Sequence, residues 1–279
     1  MVSLDHQMSS FTYLNKSIYY DIKGDKSPLL LLNGIMMSTK SWEPFVDTLS
    51  ANFKLIRLDF FDQGQSDSFE SPYQQDLQVD LIKALLDHLN ISKVHIVGIS
   101  YGGEVALKFA TKYISFIDRL MIFNSVSYTT QTLAKTGHVW NTYAKERDTL
   151  NYYEETIPVI YSKSFILANQ EWMEKRKTYL INGPFKDPNF LDCMIRLTNS
   201  AEHYDIRNDL SKINVPVLIV GAEEDYLTPL VHQRLLHKNL SSSKLVILPG
   251  VGHASMYEVP ELFTALIIGF FNTSLKYTI

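Results

Sequence analysis

The sequence predicts an α/β protein with a mostly parallel central sheet and helices on both of its faces. Three observations support this prediction: short, almost wholly apolar segments, amphipathic segments between them, and a regular alternation of the two. Strands that are buried on both faces have continuous apolar runs, and parallel strands need a crossover connection, usually a helix. The alternation therefore favours strand–helix–strand units over an all-helical or a wholly antiparallel protein.

The first half of the chain is predicted to begin with a hairpin and to continue with strand–helix units. Two strand-like segments, 11–14 and 17–22, flank the turn dipeptide Asn15-Lys16. In segment 76–89 apolar residues recur every three or four positions, which is the spacing of an amphipathic helix. The other elements predicted in this half are strands at 28–32, 53–60, 94–99 and 119–123, a helix at 42–51 with Ser41 as its N-cap, and a helix at 104–113.

The alternation is interrupted once and then resumes. Segment 127–208 is rich in Tyr and Trp, has no clear apolar strand, and is broken at Asn182-Gly183-Pro184. It is predicted to be a helical insertion, or cap, within a core formed by residues 1–126 and 209–279. The core elements predicted after it are strands at 215–220 and 244–248 and helices at 230–240 and 260–271.

Composition excludes several classes of protein. A length of 279 residues suits one large domain, and a net charge of −4 gives no electrostatic reason to expect nucleic acid or an anionic membrane as partner. The single cysteine, Cys193, permits no internal disulfide, and no signal peptide or membrane-length apolar run is apparent, so a cytoplasmic protein is expected. Because the sequence has neither metal-ligand spacing nor a phosphate-binding glycine loop, neither a metal nor a cofactor is expected. The oligomeric state does not follow from the sequence.

A serine between glycines stands where the strand at 94–99 is predicted to become a helix. The stretch from Gly98 to Gly102 reads G-I-S-Y-G and matches G-x-S-x-G, in which small neighbours permit a sharp turn that exposes the serine hydroxyl. The N-terminal amides of the following helix face the same point. The alternative is a tight structural turn, but the position between strand and helix favours Ser100 as a nucleophile.

A serine hydroxyl needs a base, and the base needs an acid that orients it. His253 follows the last predicted strand in a glycine-containing loop, and Asp225 follows the strand at 215–220. Glu223 and Glu224 are alternative acids. Asp225 is favoured because it directly precedes the turn into the next helix.

The loop after the strand at 28–32 supplies the remaining elements of the predicted site. The N–H groups of Ile35 and Tyr101 are expected to bind the oxyanion, and Gly34 permits the backbone to approach the substrate. The residues predicted to contact substrate are Gly34, Met36, Trp140 and Tyr161. Their apolar character favours a small or medium, uncharged, largely apolar molecule.

Four elements in this order resemble the α/β-hydrolase superfamily: the oxyanion loop, the G-x-S-x-G turn, the late acid and the final Gly-His loop. The order Ser100, Asp225, His253 is that of the family. The resemblance covers essentially the whole chain and is to the capped esterases, enol-lactonases and cofactor-free haloperoxidase-like proteins. It implies the α/β-hydrolase fold with a helical cap and a reaction that needs no cofactor.

Two departures from the family pattern affect any transfer of substrate preference. Residues 59–66 are similar to the family's D-x-R-G-x-G-x-S loop, but Phe61 and Asp62 stand where the family has Arg and Gly. Asn33 stands where a His usually precedes the glycine of the oxyanion loop. Neither departure touches the expected nucleophile or base.

The function expected is that of a serine hydrolase acting on a small-molecule carboxylic ester or lactone through a Ser-His-Asp triad and an acyl-enzyme. The same triad can serve C–C bond hydrolysis or perhydrolysis. A ligand-binding or signalling protein on the same fold is the alternative from another class, because function resides in the site rather than in the fold.

Overall fold

A computed structural model describes residues 7–273, in which eight strands form one sheet. In chain order the strands are β1 (Gln7–Tyr13), β2 (Lys16–Lys23), β3 (Pro28–Leu32), β4 (Lys54–Leu58), β5 (Val94–Ile99), β6 (Ile117–Phe123), β7 (Val217–Ala222) and β8 (Ser243–Leu248). Across the sheet the order is β1-β2-β4-β3-β5-β6-β7-β8. Strands β1 and β2 are antiparallel to their neighbours, and β3 to β8 run parallel. The predicted fold class is confirmed.

The helices connect these strands, and several of them form an insertion. The α-helices are α1 (Val46–Ser50), α2 (Asp76–His88), α3 (Tyr101–Tyr113), α4 (Gln131–Glu146), α5 (Thr149–Thr156), α6 (Lys163–Ala168), α7 (Gln170–Asn182), α8 (Pro188–Ser200), α9 (Leu230–Asn239), α10 (Ser255–Glu258) and α11 (Pro260–Asn272). Short 3₁₀ helices lie at Thr39–Phe45, Ile114–Phe116, Pro158–Ile160, Pro184–Lys186 and Arg207–Lys212. Helices α4 to α8 lie between β6 and β7, as predicted for the insertion, while its boundaries at 127 and 208 remain predictions.

The sheet separates two hydrophobic clusters. In β3, Leu30 and Leu32 belong to one cluster and Leu29 and Leu31 to the other, and all four are fully buried. Helices α2, α3 and α9 cover the first face, and α1 and α11 cover the second. Because alternate side chains of a strand point to opposite faces, both faces need apolar residues, which explains the continuous apolar runs.

Several predicted boundaries differ from the structure. The hairpin turn is Leu14-Asn15, with φ of 50° and 61°, rather than Asn15-Lys16. The segment predicted as one helix at 42–51 is a 3₁₀ helix that contains Pro44, followed by α1. Pro44 has no N–H and is unfavourable inside a continuous α-helix. Ser38, not Ser41, is the residue at its N-cap.

Parallel strands bring their carboxyl ends to one edge of the sheet, and this edge carries the predicted site. The loops after β3, β5, β7 and β8 meet there, beneath helices of the insertion. Within residues 7–273 no helix combines the length and the apolar character needed to cross a bilayer.

Candidate active site

Ser100 lies at the turn between β5 and α3 in a conformation that few non-glycine residues adopt. Its φ is 53° and its ψ is −119°, a strained geometry of the kind that costs about 1–3 kcal/mol. The backbone holds this geometry: the Ser100 N–H donates to the Phe123 carbonyl at 2.9 Å, and the Ser125 hydroxyl donates to the Ser100 carbonyl at 2.8 Å. The serine therefore stands at the sheet edge on a fixed backbone.

The glycines of this turn allow strand and helix to meet at van der Waals distance. A Cβ at Gly98 would lie 2.5 Å from the Gly102 carbonyl oxygen. One at Gly102 would overlap the carbonyl oxygens of Leu32 and Asn33 at the end of β3. Helix α3 can therefore begin at Tyr101, three residues before the predicted start.

His253 and Asp225 form a buried hydrogen-bonded pair on the neighbouring loops. The His253 Nδ1 lies 2.8 Å from the Asp225 Oδ2, and the residues are 7% and 3% exposed. The other carboxylate oxygen, Oδ1, accepts the N–H groups of Leu227 at 3.0 Å and Thr228 at 2.7 Å. Burial alone would raise the pKa of Asp225, but the charge of His253 and the hydrogen bonds from His253 and Thr228 outweigh it, so the pKa lies below its usual range.

The two alternative acids have other partners. Glu223 accepts the N–H of Gly250 at 3.0 Å, and Glu224 accepts the N–H of Lys163 at 3.2 Å. Asp225 is the carboxylate that faces the imidazole of His253.

A chain of neutral side chains that sequence reasoning missed supports this acid. Thr228 Oγ1 and Asn124 Nδ2 donate to Asp225 Oδ2 at 2.7 and 3.0 Å, and Ser255 Oγ donates to Asn124 Oδ1 at 2.8 Å. Asn124 cannot itself be the acid, because its side chain is an amide. Its position at the carboxyl end of β6, beside β7, was the available signal for a contact with the acid.

The loop after β3 lies directly beside Ser100. A Cβ at Gly34 would be 3.7 Å from the Ser100 Cβ. Among residues 7–273, no protein acceptor receives the N–H of Ile35 or of Tyr101, so both are available to a ligand at this point. Gln63, another residue that sequence reasoning missed, donates to the carbonyls of Gly34 at 2.8 Å and Ile35 at 3.0 Å.

Asn33, which stands where the family usually has His, forms buried hydrogen bonds beside the loop after β3. Its Oδ1 accepts the indole N–H of Trp42 at 2.7 Å, and its Nδ2 donates to Gln63 Oε1 at 3.0 Å. Both contacts are buried and lie under the loop after β3. The Asn33 side chain therefore contributes to holding this loop in place.

A cavity of about 520 Å³ extends from Ser100 and His253 into the insertion. Of the four predicted substrate contacts, Gly34, Met36 and Trp140 line it. The apolar side chains that the insertion contributes include Leu133, Ile157, Ile160, Leu180, Phe185, Phe190 and Met194. The cavity is thus a largely apolar space with the polar site at one end.

Tyr161, the fourth predicted contact, is not among the residues of the described chain that line this cavity. It is 2% exposed, and its ring stacks on Phe165 at 5.3 Å and meets Trp172 edge-on at 5.7 Å. The aromatic side chain of Tyr161 packs within the insertion, and its contact with substrate stays a prediction.

The insertion is attached to the core on two sides. On one side Arg196 of α8 forms an ion pair with Asp62, whose carboxylate also accepts the Tyr73 hydroxyl at 2.8 Å. On the other side Glu258 of α10 accepts the Ser162 N–H at 2.7 Å and its hydroxyl at 2.6 Å. Asp62, which departs from the family pattern, thus holds the insertion to the core.

Glu104 of α3 is a buried carboxyl on the cavity wall, and no group of opposite charge among residues 7–273 pairs with it. It is 6% exposed and accepts Gln75 Nε2 at 2.6 Å. Burial raises its pKa from 4.5 to about 8, although the hydrogen bond from Gln75 lowers it. Glu104 is therefore largely protonated at neutral pH.

Glu104→Gln is expected to remove a pH-dependent loss of stability. The unfolded chain releases this proton near pH 4.5 and the folded chain near about pH 8, so between these values the folded state binds the extra proton and loses stability as pH rises. The free energy of unfolding of the variant should exceed that of the wild type by an amount that grows by about 1.4 kcal/mol per pH unit in this window. Urea denaturation across the window measures it, and a difference independent of pH would contradict the assignment.

Within the described part of the chain, no group of three or more His, Cys, Asp or Glu residues is placed to hold a metal ion.

Comparison with known proteins gives the family. The family model described as alpha/beta hydrolase fold matches residues 27–260. A proline iminopeptidase of Saccharolobus solfataricus is 26% identical over 279 residues, which cover 91% of this chain and 87% of that protein.

Solved structures agree with this match. The crystal structure of an α/β hydrolase enzyme from a Medee basin deep-sea metagenome library is 50% identical, covers 97% of this chain and 100% of its own, and superposes with a TM-score of 0.95. An enol-lactonase from Burkholderia xenovorans LB400 is 18% identical, covers 95% of this chain and 100% of its own, and has a TM-score of 0.85, a likeness of fold. The chain belongs to the α/β hydrolase fold family of hydrolases.

Proposed function

We propose that this protein is a serine hydrolase that cleaves a carboxylic ester or lactone of a small to medium, largely apolar substrate. One observation carries the proposal: the buried 2.8 Å hydrogen bond between His253 and Asp225 lies on the wall of the cavity that Ser100 lines. An imidazole held in this way, on the wall of the same cavity as a serine on a strained turn, supports a role in nucleophilic catalysis.

In the proposed first step, Ser100 Oγ attacks the ester carbonyl and His253 Nε2 takes its proton. The hydrogen bond from Nδ1–H to Asp225 selects the tautomer that leaves Nε2 free to accept. The ionised carboxylate of Asp225 then stabilises the imidazolium that forms. The low pKa of Asp225 supports this role, because the carboxylate stays charged.

The developing oxyanion is stabilised by the N–H groups of Ile35 and Tyr101. In enzymes of this type the loss of one such donor costs about 3–4 kcal/mol of transition-state stabilisation. The imidazolium of His253 gives its proton to the leaving oxygen, which breaks the bond to the acyl carbon. Water then attacks the acyl-enzyme with His253 again as base, and the acid is released. The helical insertion acts as a cap that supplies apolar walls and excludes bulk water from these steps.

A fluorophosphonate probe is expected to label Ser100 alone among the serines that line the cavity. The reaction joins Ser100 Oγ to phosphorus with loss of fluoride and requires the same base and oxyanion donors as ester attack. Ser38 and Ser41 line the same cavity and serve as internal controls, and Ser41→Ala should be labelled at the wild-type rate. Peptide mass spectrometry locates the adduct. An adduct on Ser38 or Ser41, or none on the folded protein, would refute the assignment of the nucleophile.

A further inference from the structure

Arg176 of α7 is a cation on the wall of the cavity that holds Ser100 and His253. Its guanidinium carbon lies 5.3 Å from the ring centre of Trp172 and 5.4 Å from that of Tyr257. Two aromatic rings hold the position of the guanidinium but supply no counter-charge. Tyr257, which follows His253 by four residues, also lines the cavity, so Arg176 and the segment that carries the proposed base border the same cavity.

The hydrogen-bonding capacity of Arg176 is unused within residues 7–273. Its Nε is buried and has no hydrogen-bond partner, and no carboxylate of the described chain forms an ion pair with it. Other arginines are paired with carboxylates: Arg147 with Asp192, Arg196 with Asp62, and Arg207 with Asp205. A guanidinium presents a planar set of donors that matches a carboxylate, and an unpaired one beside an apolar cavity favours an anionic ligand.

The other charged groups on the cavity wall leave this positive charge uncompensated. Burial raises the pKa of Glu104 to about 8, so its carboxyl is largely neutral at pH 7. Glu202, the one other carboxylate of the described chain on this wall, lies 3.0 Å from the imidazole of His138. Lys40, which also lines the cavity, adds a second cation at an exposed position. The cavity is therefore apolar in most of its surface and positive in its net charge.

We infer that the substrate of this hydrolase carries a carboxylate, which pairs with Arg176, on an otherwise apolar body. This inference rests on the proposed function and specifies its substrate class. The ester or lactone carbonyl lies at Ser100, and the carboxylate lies on the part of the molecule that extends beneath α7. Turnover of two pairs of esters shows whether that part is the acyl side or the alcohol side.

Binding is measured first, without turnover, in the Ser100→Ala protein. The probes are 4-phenylbutyrate and its neutral amide, which have the same apolar body. We expect calorimetry to give at least about tenfold tighter binding of the carboxylate, and this preference should disappear when Arg176→Gln is added. Lys175→Gln is the matched control, because Lys175 is the neighbouring residue of α7, pairs with Glu171 on the exposed face, and does not line the cavity. It removes the same charge and should leave the preference unchanged.

Turnover is measured next on pairs of esters that differ in one carboxylate. In the first pair, mono-p-nitrophenyl glutarate carries a carboxylate on the acyl side, and its methyl ester is the neutral member. In the second pair, 4-acetoxybenzoate carries the carboxylate on the leaving group, and its methyl ester is the neutral member. The wild type should favour the charged member of one pair by about tenfold or more in kcat/KM, and Arg176→Gln should lower that ratio.

The outcomes separate the two proposals. If carboxylate and amide bind equally, or if the preference survives Arg176→Gln, the inference is overturned, whereas turnover of the neutral esters would leave the hydrolase assignment in place. If the carboxylate binds through Arg176 but no ester or lactone is turned over, the anion site stands and the hydrolase assignment fails.

Discussion

Ser100→Ala is expected to lower kcat on an activated ester by about 10⁴- to 10⁶-fold, with a much smaller change in KM. The substitution removes only Oγ, the atom proposed to form the acyl-enzyme. The hydrogen bonds that hold the turn, from Ser100 N–H to Phe123 and from Ser125 to the Ser100 carbonyl, involve the backbone and persist in the variant. The variant should therefore fold while losing its chemistry.

The measurement is hydrolysis of a series of short p-nitrophenyl esters, together with thermal unfolding of both proteins. Ser41→Ala provides a matched control, because Ser41 is another hydroxyl on the cavity wall and has no proposed part in the reaction. If Ser100→Ala keeps wild-type turnover, Ser100 is not the nucleophile. If both variants lose activity together with their folded structure, the effect lies in stability rather than in catalysis, and the unfolding data separate the two.

Asp225→Asn is expected to lower kcat by about 10⁴-fold, as replacement of the orienting carboxylate does in serine proteases. The physical reason is the number of donors around this group. Oδ2 faces His253, Thr228 and Asn124, and Oδ1 faces two backbone N–H groups, so every neighbour of the carboxylate requires an acceptor.

An amide at position 225 cannot satisfy these neighbours in either orientation. With its NH₂ at the Oδ1 position it opposes the N–H groups of Leu227 and Thr228. With its NH₂ at the Oδ2 position it forces His253 Nδ1 to accept, so the proton moves to Nε2, which can then no longer take the proton of Ser100. The first arrangement lowers stability and the second removes the base.

Glu223→Gln is the matched control for this prediction. Glu223 is a carboxylate two residues away that accepts the Gly250 N–H, and glutamine keeps an acceptor for that bond. Its kcat should stay close to that of the wild type. A large loss in Glu223→Gln with none in Asp225→Asn would reassign the acid, the alternative that the sequence leaves open.

The strands and the order of the site residues could be predicted from the sequence because each depends on local pattern. A strand buried on both faces must be apolar throughout, and β5 has the predicted bounds of Val94–Ile99. The start of α3 could not be placed, because Gly102 and Gly103 have low helix propensity and conceal its first turn. Close packing selects both glycines, of Gly102 on the end of β3 and of Gly103 on Ser125 and Ile122. These contacts cannot be recognised in a single sequence.

The parts of the site that escaped prediction depend on contacts between distant segments. Asn124 and Ser255 are 131 residues apart, and only the parallel sheet brings them beneath Asp225. The inferred carboxylate contact differs from the uncharged substrate that the sequence predicts, because that prediction rests on apolar and aromatic residues and not on Arg176. An arginine between Lys175 and Lys177 in a helix rich in charged residues has the pattern of a solvated surface residue, and only the missing partner distinguishes it.

The two attachments of the insertion restrict how this protein can be redesigned. Asp62 and Glu258, which bind Arg196 and Ser162 of the insertion, belong to the same core that carries Ser100 and His253. A chimera that grafts the helices of a relative onto this core would leave a buried carboxylate at position 62 without its cation, and such an unpaired charge is strongly destabilising. Recombination between relatives must therefore exchange the anchoring residues of the insertion and of the core together. An insertion that binds a different substrate can be transferred only with its matching core residues.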